Sequence, residues 1–328
     1  MIHFLVDFDN RDRENIPKTL AKIRGENIGY LKSPNLKKDL IKWIKGANNA
    51  INNTKKNDCI FCWYDFQAVL LFLMCKLRFA KRNILAMNIM LKEKDSLKNA
   101  FVANLYGIAF RDKSFFATVN SAAYGKELQK RFRLNRTFPV IHDPFVLKCI
   151  QIDRKHDISK TILTGGGRGR DWDTVYRVAK IMPDFHFILV RKDIPTDTEK
   201  YTFDNIEVRA RMSHDDFRNL LYTVSFLLVP VDNCAPAGLM TMFDAASRGK
   251  VVVMNSTVVT EEFLGEGRGL LIDDGKIETY AQKIRDCYEN PDLYYDTAEK
   301  LQNFLLHECD IHTYCTRINE CLNALGWS

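Results

Sequence analysis

Short apolar runs of strand length alternate with longer amphipathic stretches along almost the whole chain. The late runs, such as FHFILV at 185–190 and KVVVMN at 250–255, are apolar at nearly every position, as in strands buried on both faces of a parallel sheet. Alternation of this kind predicts doubly wound α/β units. The strands are predicted at 2–8, 28–31, 58–64, 83–90, 115–120 and 138–143 in the first half, and at 160–165, 185–190, 206–210, 225–231, 250–255 and 269–273 in the second.

The alternation breaks once, over PFVLKCIQIDRKHDIS at 144–159. We therefore predict two Rossmann-like, doubly wound parallel-sheet domains facing a cleft, over residues 1–150 and 151–328. The tail returns to a helical pattern, with Asp310 placed to cap the last helix, and we expect this helix to pack back on the first domain. Because ligands in open α/β sheets bind beyond the carboxyl ends of the strands, the chemistry is expected in the loops that follow the strands.

Composition is that of an ordinary folded protein. The 328 residues are 46% hydrophobic and 27% charged, which excludes a disordered or collagen-like chain. The longest apolar run without a charge, 66–75, is far shorter than the ~20 residues of a membrane-spanning helix. The first residues, MIHFLVDFDN, carry acids where a signal peptide carries bases, so we expect a cytoplasmic protein with reduced cysteines. Cys59 and Cys62 lie in an apolar run and are expected to be buried as small hydrophobic residues.

Charge is divided unevenly between the halves. Residues 1–150 contain 27 Lys and Arg against 13 Asp and Glu, a balance of +14, whereas the remaining residues carry −7. A strongly basic half favours an anionic partner, and both nucleic acid and an anionic membrane surface fit that description. Aromatic residues are not interleaved with the basic clusters as nucleic-acid binding requires, so we expect no nucleic acid. A basic surface that is only solvated is the other interpretation.

The first strand of the second half runs into LTGGGRGRDWD. Gly166 and Gly167 permit close approach of the backbone, and a helix is predicted to begin at about Asp171. Arg168 and Arg170 supply fixed positive charges, and this combination suits a phosphate or a diphosphate. The spacing is neither that of the GxGxxG dinucleotide motif nor that of a P-loop, so NAD is disfavoured. Taken alone, the loop is also compatible with a simple tight turn.

A second candidate anion site lies in NCAPAGLMTMFDAASRGKVVVMN at 233–255. A turn containing proline and glycine opens a helix there, which leaves backbone amides near Gly238, Leu239 and Met240 available to an anion. Asp244 follows one to two turns into that helix, where its carboxylate can accept hydrogen bonds from ribose hydroxyls. The simpler interpretation is an ordinary helix–strand unit with a solvated aspartate.

Together with the later EEFLGEGRGLLI, these segments resemble the retaining nucleotide-sugar glycosyltransferases of the two-Rossmann, or GT-B, type, and glycosyltransferase family 4 in particular. The resemblance covers about 160–290 clearly, and 110–150 and 290–328 loosely. It implies that Arg168 and Arg170 hold the donor diphosphate and act in catalysis. The donor-binding residues that it implies are Gly166, Gly167, Arg168, Arg170, Arg211, Ala237, Gly238, Leu239, Met240, Asp244 and Glu262.

The sequence departs from the family pattern at three positions. Asp244 stands where the family has the second of two Glu spaced seven residues apart, and its shorter carboxylate can still bind ribose. The first Glu is replaced by Pro236, so Asp232 or Asn233 would have to substitute for it. The family's His after the fourth strand of the first domain falls near Asn88.

The resemblance implies transfer of a sugar from a nucleotide-diphosphate sugar to a glycan or lipid-linked acceptor, with retention, in cell-surface polysaccharide synthesis. No Asp-x-Asp motif stands in a strand-end loop of the donor half, so we expect catalysis without a metal or other cofactor. Peripheral contact with the inner face of the cell membrane would account for the basic half. On the acceptor side we expect Asp7, Asp9, Asn88, Lys92 and His142. Two alternatives stay open, a nucleotide-sugar 2-epimerase on the same fold and a non-catalytic scaffold partner of a transferase.

Overall fold

The computed structural model describes residues 1–7, 11–33, 40–91, 96–166, 169–192, 203–231 and 237–327. The chain divides into two units, of which unit 1 comprises Met1–Val146 with Glu308–Ser328 and unit 2 comprises Leu147–His307. Each unit contains one sheet with helices packed on it. In the described segments, no helix combines the length and the apolar character that crossing a bilayer would need.

Unit 1 is built on a five-stranded sheet with the strand order β2-β1-β3-β4-β5. Its elements, in chain order, are β1 (Ile2–Asp7), α1 (Arg11–Arg24), β2 (Gly29–Ser33), α2 (Leu40–Asn52), β3 (Cys59–Cys62), α3 (Asp65–Leu77), β4 (Asn83–Ala86), α4 (Leu97–Phe110), β5 (Phe115–Ala117) and α5 (Ala122–Phe132). From β2 onward each crossover advances in one direction along the sheet, so the right-handed rule places α2, α3 and α4 on one face. Accordingly, α3 contacts both α2 and α4.

Unit 2 is built on a six-stranded sheet with the order β11-β10-β9-β6-β7-β8. Its elements are β6 (Thr161–Gly165), α6 (Trp172–Ile181), β7 (His186–Arg191), β8 (Ile206–Ala210), α7 (His214–Leu220) with a 3-10 turn (Leu221–Thr223), β9 (Phe226–Leu228), α8 (Leu239–Ser247), β10 (Val251–Asn255), α9 (Thr260–Leu264), β11 (Leu270–Ile272), α10 (Ile277–Glu289) and α11 (Pro291–Glu308). The core between sheet and helices is formed by buried residues such as Ile162, Leu189, Phe226 and Val253.

The last helix, α12 (Ile311–Ala324), belongs to unit 1. Asp310 caps it by accepting from the backbone N–H of His312 at 2.7 Å and of Thr313 at 3.2 Å. The helix packs on α1, and its buried residues Tyr314 and Ile318 join the core of the first sheet. Folding of unit 1 therefore uses both ends of the chain.

Every pairing between described strands is parallel, which confirms the predicted fold class of two doubly wound α/β units. The prediction of a strand at 138–143 is wrong. This segment makes a single bridge, between Val140 and Val119. Ser121 already caps α5, so the neighbouring backbone leaves the sheet after one residue pair and no ladder can continue.

The prediction for the paired cysteines is confirmed. Cys59 and Cys62 are fully buried in β3, at the centre of the unit 1 sheet. Burial raises the pKa of the Cys59 thiol to about 12, so this side chain is an inert hydrophobic residue rather than a nucleophile.

Candidate functional site

The turn that follows β6 needs two glycines because other side chains occupy the space beside them. A Cβ on Gly165 would lie 2.3 Å from Cε2 of Phe217. Gly166 has a φ of +109°, and a Cβ there would lie 2.5 Å from Nη2 of Arg170. The loop therefore lets an arginine cross directly over its backbone.

Arg170 is buried, and its side chain points into the protein. Its Nε donates to the carbonyl oxygen of Gly165 at 2.9 Å, and its backbone forms an antiparallel bridge with Val231. Its Nη1 also lies 3.5 Å from the position that a Cβ would take on Gly238. The guanidinium is thus fixed between the two glycine turns that precede α6 and α8.

The start of α8 presents backbone donors. Gly238 has a φ of +84°, and a Cβ there would lie 2.8 Å from Cγ1 of Val229, so the close packing requires glycine. No described side chain caps the first turn of the helix. Its amide groups and the positive end of its dipole are consequently available to an anion. At α6, by contrast, Asp171 accepts from the Thr174 amide at 3.1 Å.

A pocket of about 360 Å³ opens at this carboxyl edge of the unit 2 sheet. Positively charged side chains line it at the ends of β7 and β8, namely Arg191, Lys192 and Arg211. Arg191 is held in place because it lies 4.8 Å above the Trp172 ring and donates to the Tyr176 hydroxyl at 3.2 Å. The other lining residues are Gly166, Val190, Met212, Ser213, His214, Phe217, Met240, Thr241 and Asp244.

Asp244 lies at the base of the pocket and is only 1% exposed. One carboxylate oxygen accepts from Nε of Arg218 at 2.8 Å, and the other lies 2.6 Å from Nε2 of His214. Both partners lie on α7, so this network ties α7 to α8. Each carboxylate oxygen keeps a second lone pair for a further donor.

Glu262 does not line the pocket. It stands in α9, where its backbone carbonyl accepts from Nη2 of Arg268 at 2.8 Å. Among the described residues, no three His, Cys, Asp or Glu side chains come together as metal ligands. The expectation of catalysis without a metal stays a prediction.

The carboxyl edge of the unit 1 sheet combines amide and hydroxyl groups with the carboxylates of Asp65 and Asp143. Asn88, which follows β4, has a φ of +31°. Its amide N–H donates to Oγ1 of Thr118 at 3.0 Å, and its Oδ1 accepts from the same hydroxyl at 3.1 Å. Its Nδ2 donates to Asp143 at 2.5 Å. His142, beside Asp143 in the chain, is buried.

Asn120 also lies at this edge, and no sequence motif identifies it as a candidate functional residue. Its side chain is 1% exposed, and neither amide atom has a hydrogen-bond partner within the described segments. It follows β5 and directly precedes Ser121, the cap of α5. A buried amide without a partner inside the unit is costly unless something else satisfies it.

No protein-family model matches the sequence, and no curated protein matches it either. Solved structures do match over nearly the whole chain. Sucrose-phosphate synthase from Thermosynechococcus elongatus aligns with a TM-score of 0.73 at 11% identity, covering 99% of both chains. HepE from Anabaena, solved with UDP and glucose, aligns at 0.68 and 15%, covering 98% of this chain and 99% of that one. WaaG, a glycosyltransferase involved in lipopolysaccharide biosynthesis, aligns at 0.65 and 13%, with coverages of 98% and 99%.

The fold is that of the GT-B glycosyltransferases. On this GT-B fold, four predicted donor-binding residues share one pocket in unit 2, namely Gly166, Arg211, Met240 and Asp244. Arg170 and Gly238 lie beside it, and Ala237 and Leu239 flank Gly238 at the start of α8. Gly167 and Arg168 lie outside the described residues.

On the predicted acceptor side, Asp7 is the last residue of β1, whereas Asp9 and Lys92 lie outside the described residues. Sequence reasoning missed Arg191, Lys192 and His214 of the unit 2 pocket. The available signal was their position, since each follows a predicted strand of the GT-B sheet within a few residues.

Proposed function

We propose that this protein is a glycosyltransferase that moves a sugar from a nucleotide-diphosphate sugar to a glycan or lipid-linked acceptor. The observation that carries the proposal is the unit 2 pocket, where cationic side chains and the amide end of α8 surround one space at the carboxyl edge of a parallel sheet. A nucleoside diphosphate fits such a pocket because it combines an anionic diphosphate with a flat base that can pack on apolar side chains.

Within the proposal, the base and ribose occupy the pocket of about 360 Å³ beside Val190, Met212 and Phe217. The diphosphate lies toward Gly166, Arg170 and the first amides of α8. HepE, which has the same fold, has been solved with UDP and with UDP-glucose. This supports a uridine nucleotide as the first donor to test.

The proposed chemistry is electrostatic. The bond between the anomeric carbon and the donor diphosphate breaks, its electron pair leaves on the diphosphate, and a new bond forms to an acceptor hydroxyl whose proton is lost. Arg170 is already fixed before the reaction and needs no reorganisation. We propose, on the strength of the family resemblance, that Arg168 also stabilises the charge on the diphosphate. One preorganised donor of this kind is worth about 3–4 kcal/mol in a water-excluded site. Retention of configuration and action without a metal belong to the proposal on the strength of the family resemblance.

We also propose that unit 1 faces an anionic membrane that carries the acceptor. On α4, Leu97, Phe101 and Ile108 lie on one face of the helix and are 92%, 64% and 55% exposed. Residues 40–113, which include α2, α3 and α4, contain 13 Lys and Arg against 5 Asp and Glu. Exposed apolar side chains among basic ones are typical of surfaces that bind anionic lipid. A role in cell-surface polysaccharide synthesis belongs to the proposal on the strength of the family resemblance.

Nucleotide titration by thermal shift tests the donor site first. A ligand at 100 times its Kd stabilises the folded protein by about 2.7 kcal/mol, so UDP should raise the Tm clearly. Candidate donors are then incubated with the protein, and the anomer of the released or transferred sugar is read by NMR. If no nucleotide raises the Tm, the scaffold interpretation replaces ours. If the nucleotide sugar recovered after incubation is the epimer of the one supplied, the enzyme is a 2-epimerase.

The membrane surface is tested by co-sedimentation with vesicles of phosphatidylcholine alone or mixed with phosphatidylglycerol. The double variant Leu97→Ser/Phe101→Ser should lose binding to the mixed vesicles. The control is Leu306→Ser, at an exposed leucine of α11 in unit 2, which should bind as the parent does. Equal binding by all three proteins would contradict the assignment of this surface.

A further inference from the structure

A second pocket lies at the amino edge of the unit 2 sheet, at the opposite ends of the strands from the pocket described above. It has a volume of about 290 Å³. Lys250 and Ser225, which precede β10 and β9, form one wall. The other wall is the linker segment, residues 150–158, which lies just after the point where unit 1 gives way to unit 2.

The linker segment is held in place by specific contacts. The Tyr295 hydroxyl donates to the carbonyl oxygen of His156, and the Tyr294 hydroxyl donates to that of Ser225 at 2.8 Å. Ile152 packs so closely on Gly249 that a Cβ on this glycine would lie 2.6 Å from Cγ1 of the isoleucine. The pocket is therefore a built part of unit 2 rather than a gap beneath a loose loop.

One end of the pocket is cationic. Lys250 is half-buried and has no ion-pair partner among the residues that the structure describes. Burial lowers the pKa of its ammonium group. Arg248 lies 5.4 Å above the Tyr222 ring, and its buried Nε has no hydrogen-bond partner within the described segments. Nη1 of Arg248 donates to Oγ of Ser247 at 2.5 Å, and both cations line the pocket.

The other end of the pocket is acidic. The exposed carboxylates of Asp153 and Asp157 line it on the linker segment. Burial, and then the negative charges of these two residues, raise the pKa of Tyr295. The two acids lie on the linker segment, whereas Arg248 and Lys250 lie on the opposite wall, directly before β10.

We propose that this pocket binds a small phosphorylated sugar. The phosphate lies between Lys250 and Arg248, and the sugar hydroxyls donate to Asp153 and Asp157 at the other end. The Tyr222 ring, which is 50% exposed, supplies an apolar face that packs against the sugar ring. The volume is close to the lower end of the range of about 300–1,000 Å³ for small-molecule sites, which suits a single monosaccharide phosphate rather than a nucleotide sugar.

Isothermal titration with glucose 6-phosphate as the probe tests the proposal. Lys250→Met should weaken binding about tenfold or more, because a charged hydrogen bond to the phosphate is lost. The same variant should melt at the same temperature as the parent or higher, because it removes a half-buried charge without a partner. The matched control is Lys180→Met, at an exposed lysine of α6, which should leave binding unchanged. Lys250→Met binding as tightly as the parent would overturn the proposal.

A second variant and two competitors separate the sugar from the phosphate. Asp157→Asn should weaken glucose 6-phosphate about fivefold and leave inorganic phosphate unaffected. If inorganic phosphate binds the parent as tightly as glucose 6-phosphate does, the acidic end contributes nothing and the proposal fails. If UDP displaces the sugar phosphate, the ligand occupies the carboxyl-edge pocket instead, and the proposal also fails. The amino-edge pocket does not depend on the transferase function, so failure of nucleotide binding would leave it standing.

Discussion

In each unit, the groups at the carboxyl edge of the sheet differ in charge from the half of the chain to which they belong. Residues 151–328 carry a net charge of −7, yet Arg170, Arg191, Lys192 and Arg211 gather at the edge of the unit 2 sheet. Residues 1–150 carry +14, yet the described edge of the unit 1 sheet presents the amide and hydroxyl groups around Asn88 together with the carboxylates of Asp65 and Asp143. Net charge therefore describes the solvated surface and not the site, because a binding site depends on a few charges fixed at short range.

The difference fits the two substrates of the proposed reaction. A diphosphate that gains charge as its bond breaks needs fixed cations, which unit 2 supplies. An acceptor hydroxyl is neutral and needs groups that can both donate and accept, which amides and hydroxyls do. Substitutions at the two edges should consequently have different consequences, and the four below are ordered from the largest expected effect to the smallest.

Arg170→Ala should have the largest effect. Loss of a fixed cation at the diphosphate is expected to lower kcat about 10²–10³-fold, equivalent to about 3–4 kcal/mol. The measurement is donor turnover under saturating donor, together with the affinity for UDP. Arg177→Ala serves as the control, since Arg177 is an exposed residue of α6 that pairs with Asp173 at 3.8 Å. If the Arg170→Ala protein folds and turns over the donor at the rate of the parent, the proposed difference between the two edges is wrong.

Asp244→Asn should lower the free energy of unfolding by about 2 kcal/mol. This is less than the ~3–5 kcal/mol for a fully buried ion pair, because the His214 side chain is half exposed. Asp215→Asn is a matched control because Asp215 is 89% exposed and approaches the same Arg218 at 3.6 Å. It should change stability by less than about 0.5 kcal/mol. Urea denaturation of both variants checks this, and equal losses would contradict the structural role of Asp244.

Gly166→Ala should cost about 2 kcal/mol of stability and weaken UDP binding. The substitution strains a backbone with a φ of +109° and displaces Nη2 of Arg170, whereas Gly275→Ala, at a φ of +63°, meets nothing within 4 Å. The control should cost only about 1 kcal/mol and leave UDP binding intact. Denaturation and UDP titration distinguish the two effects, since strain alone would weaken stability without weakening affinity.

Asn120→Leu should have the smallest effect on stability, within about 0.5 kcal/mol, because no described residue satisfies the buried amide. If the amide serves the acceptor, the variant raises the KM for acceptor and leaves the UDP affinity unchanged. A loss of about 1–3 kcal/mol would instead show that Asn120 is hydrogen-bonded within the folded unit. Thermal denaturation measures the change in stability, and acceptor kinetics measure the change in KM.

Much of the fold could be predicted because strands buried on both faces leave a strong apolar signal. β6, β7, β8, β10 and β11 all lie within a residue or two of their predicted bounds. The error at 138–143 arose because an apolar run with a proline looks like a strand, although pairing depends on where the neighbouring chain turns away. Local composition does not contain that information.

The sequence by itself determined the alternation of strands and helices, the glycines at Gly166 and Gly238, and the order of the segments that carry the family resemblance. Only the tertiary structure decided that Asp244 is held by Arg218 and His214, and that residues after β7 and β8 complete the same pocket. The reason is physical. Glycine requirements and apolar periodicity depend on the local backbone, so they can be recognised directly in the sequence. Contacts between groups some thirty residues apart exist only after α7 packs beside α8.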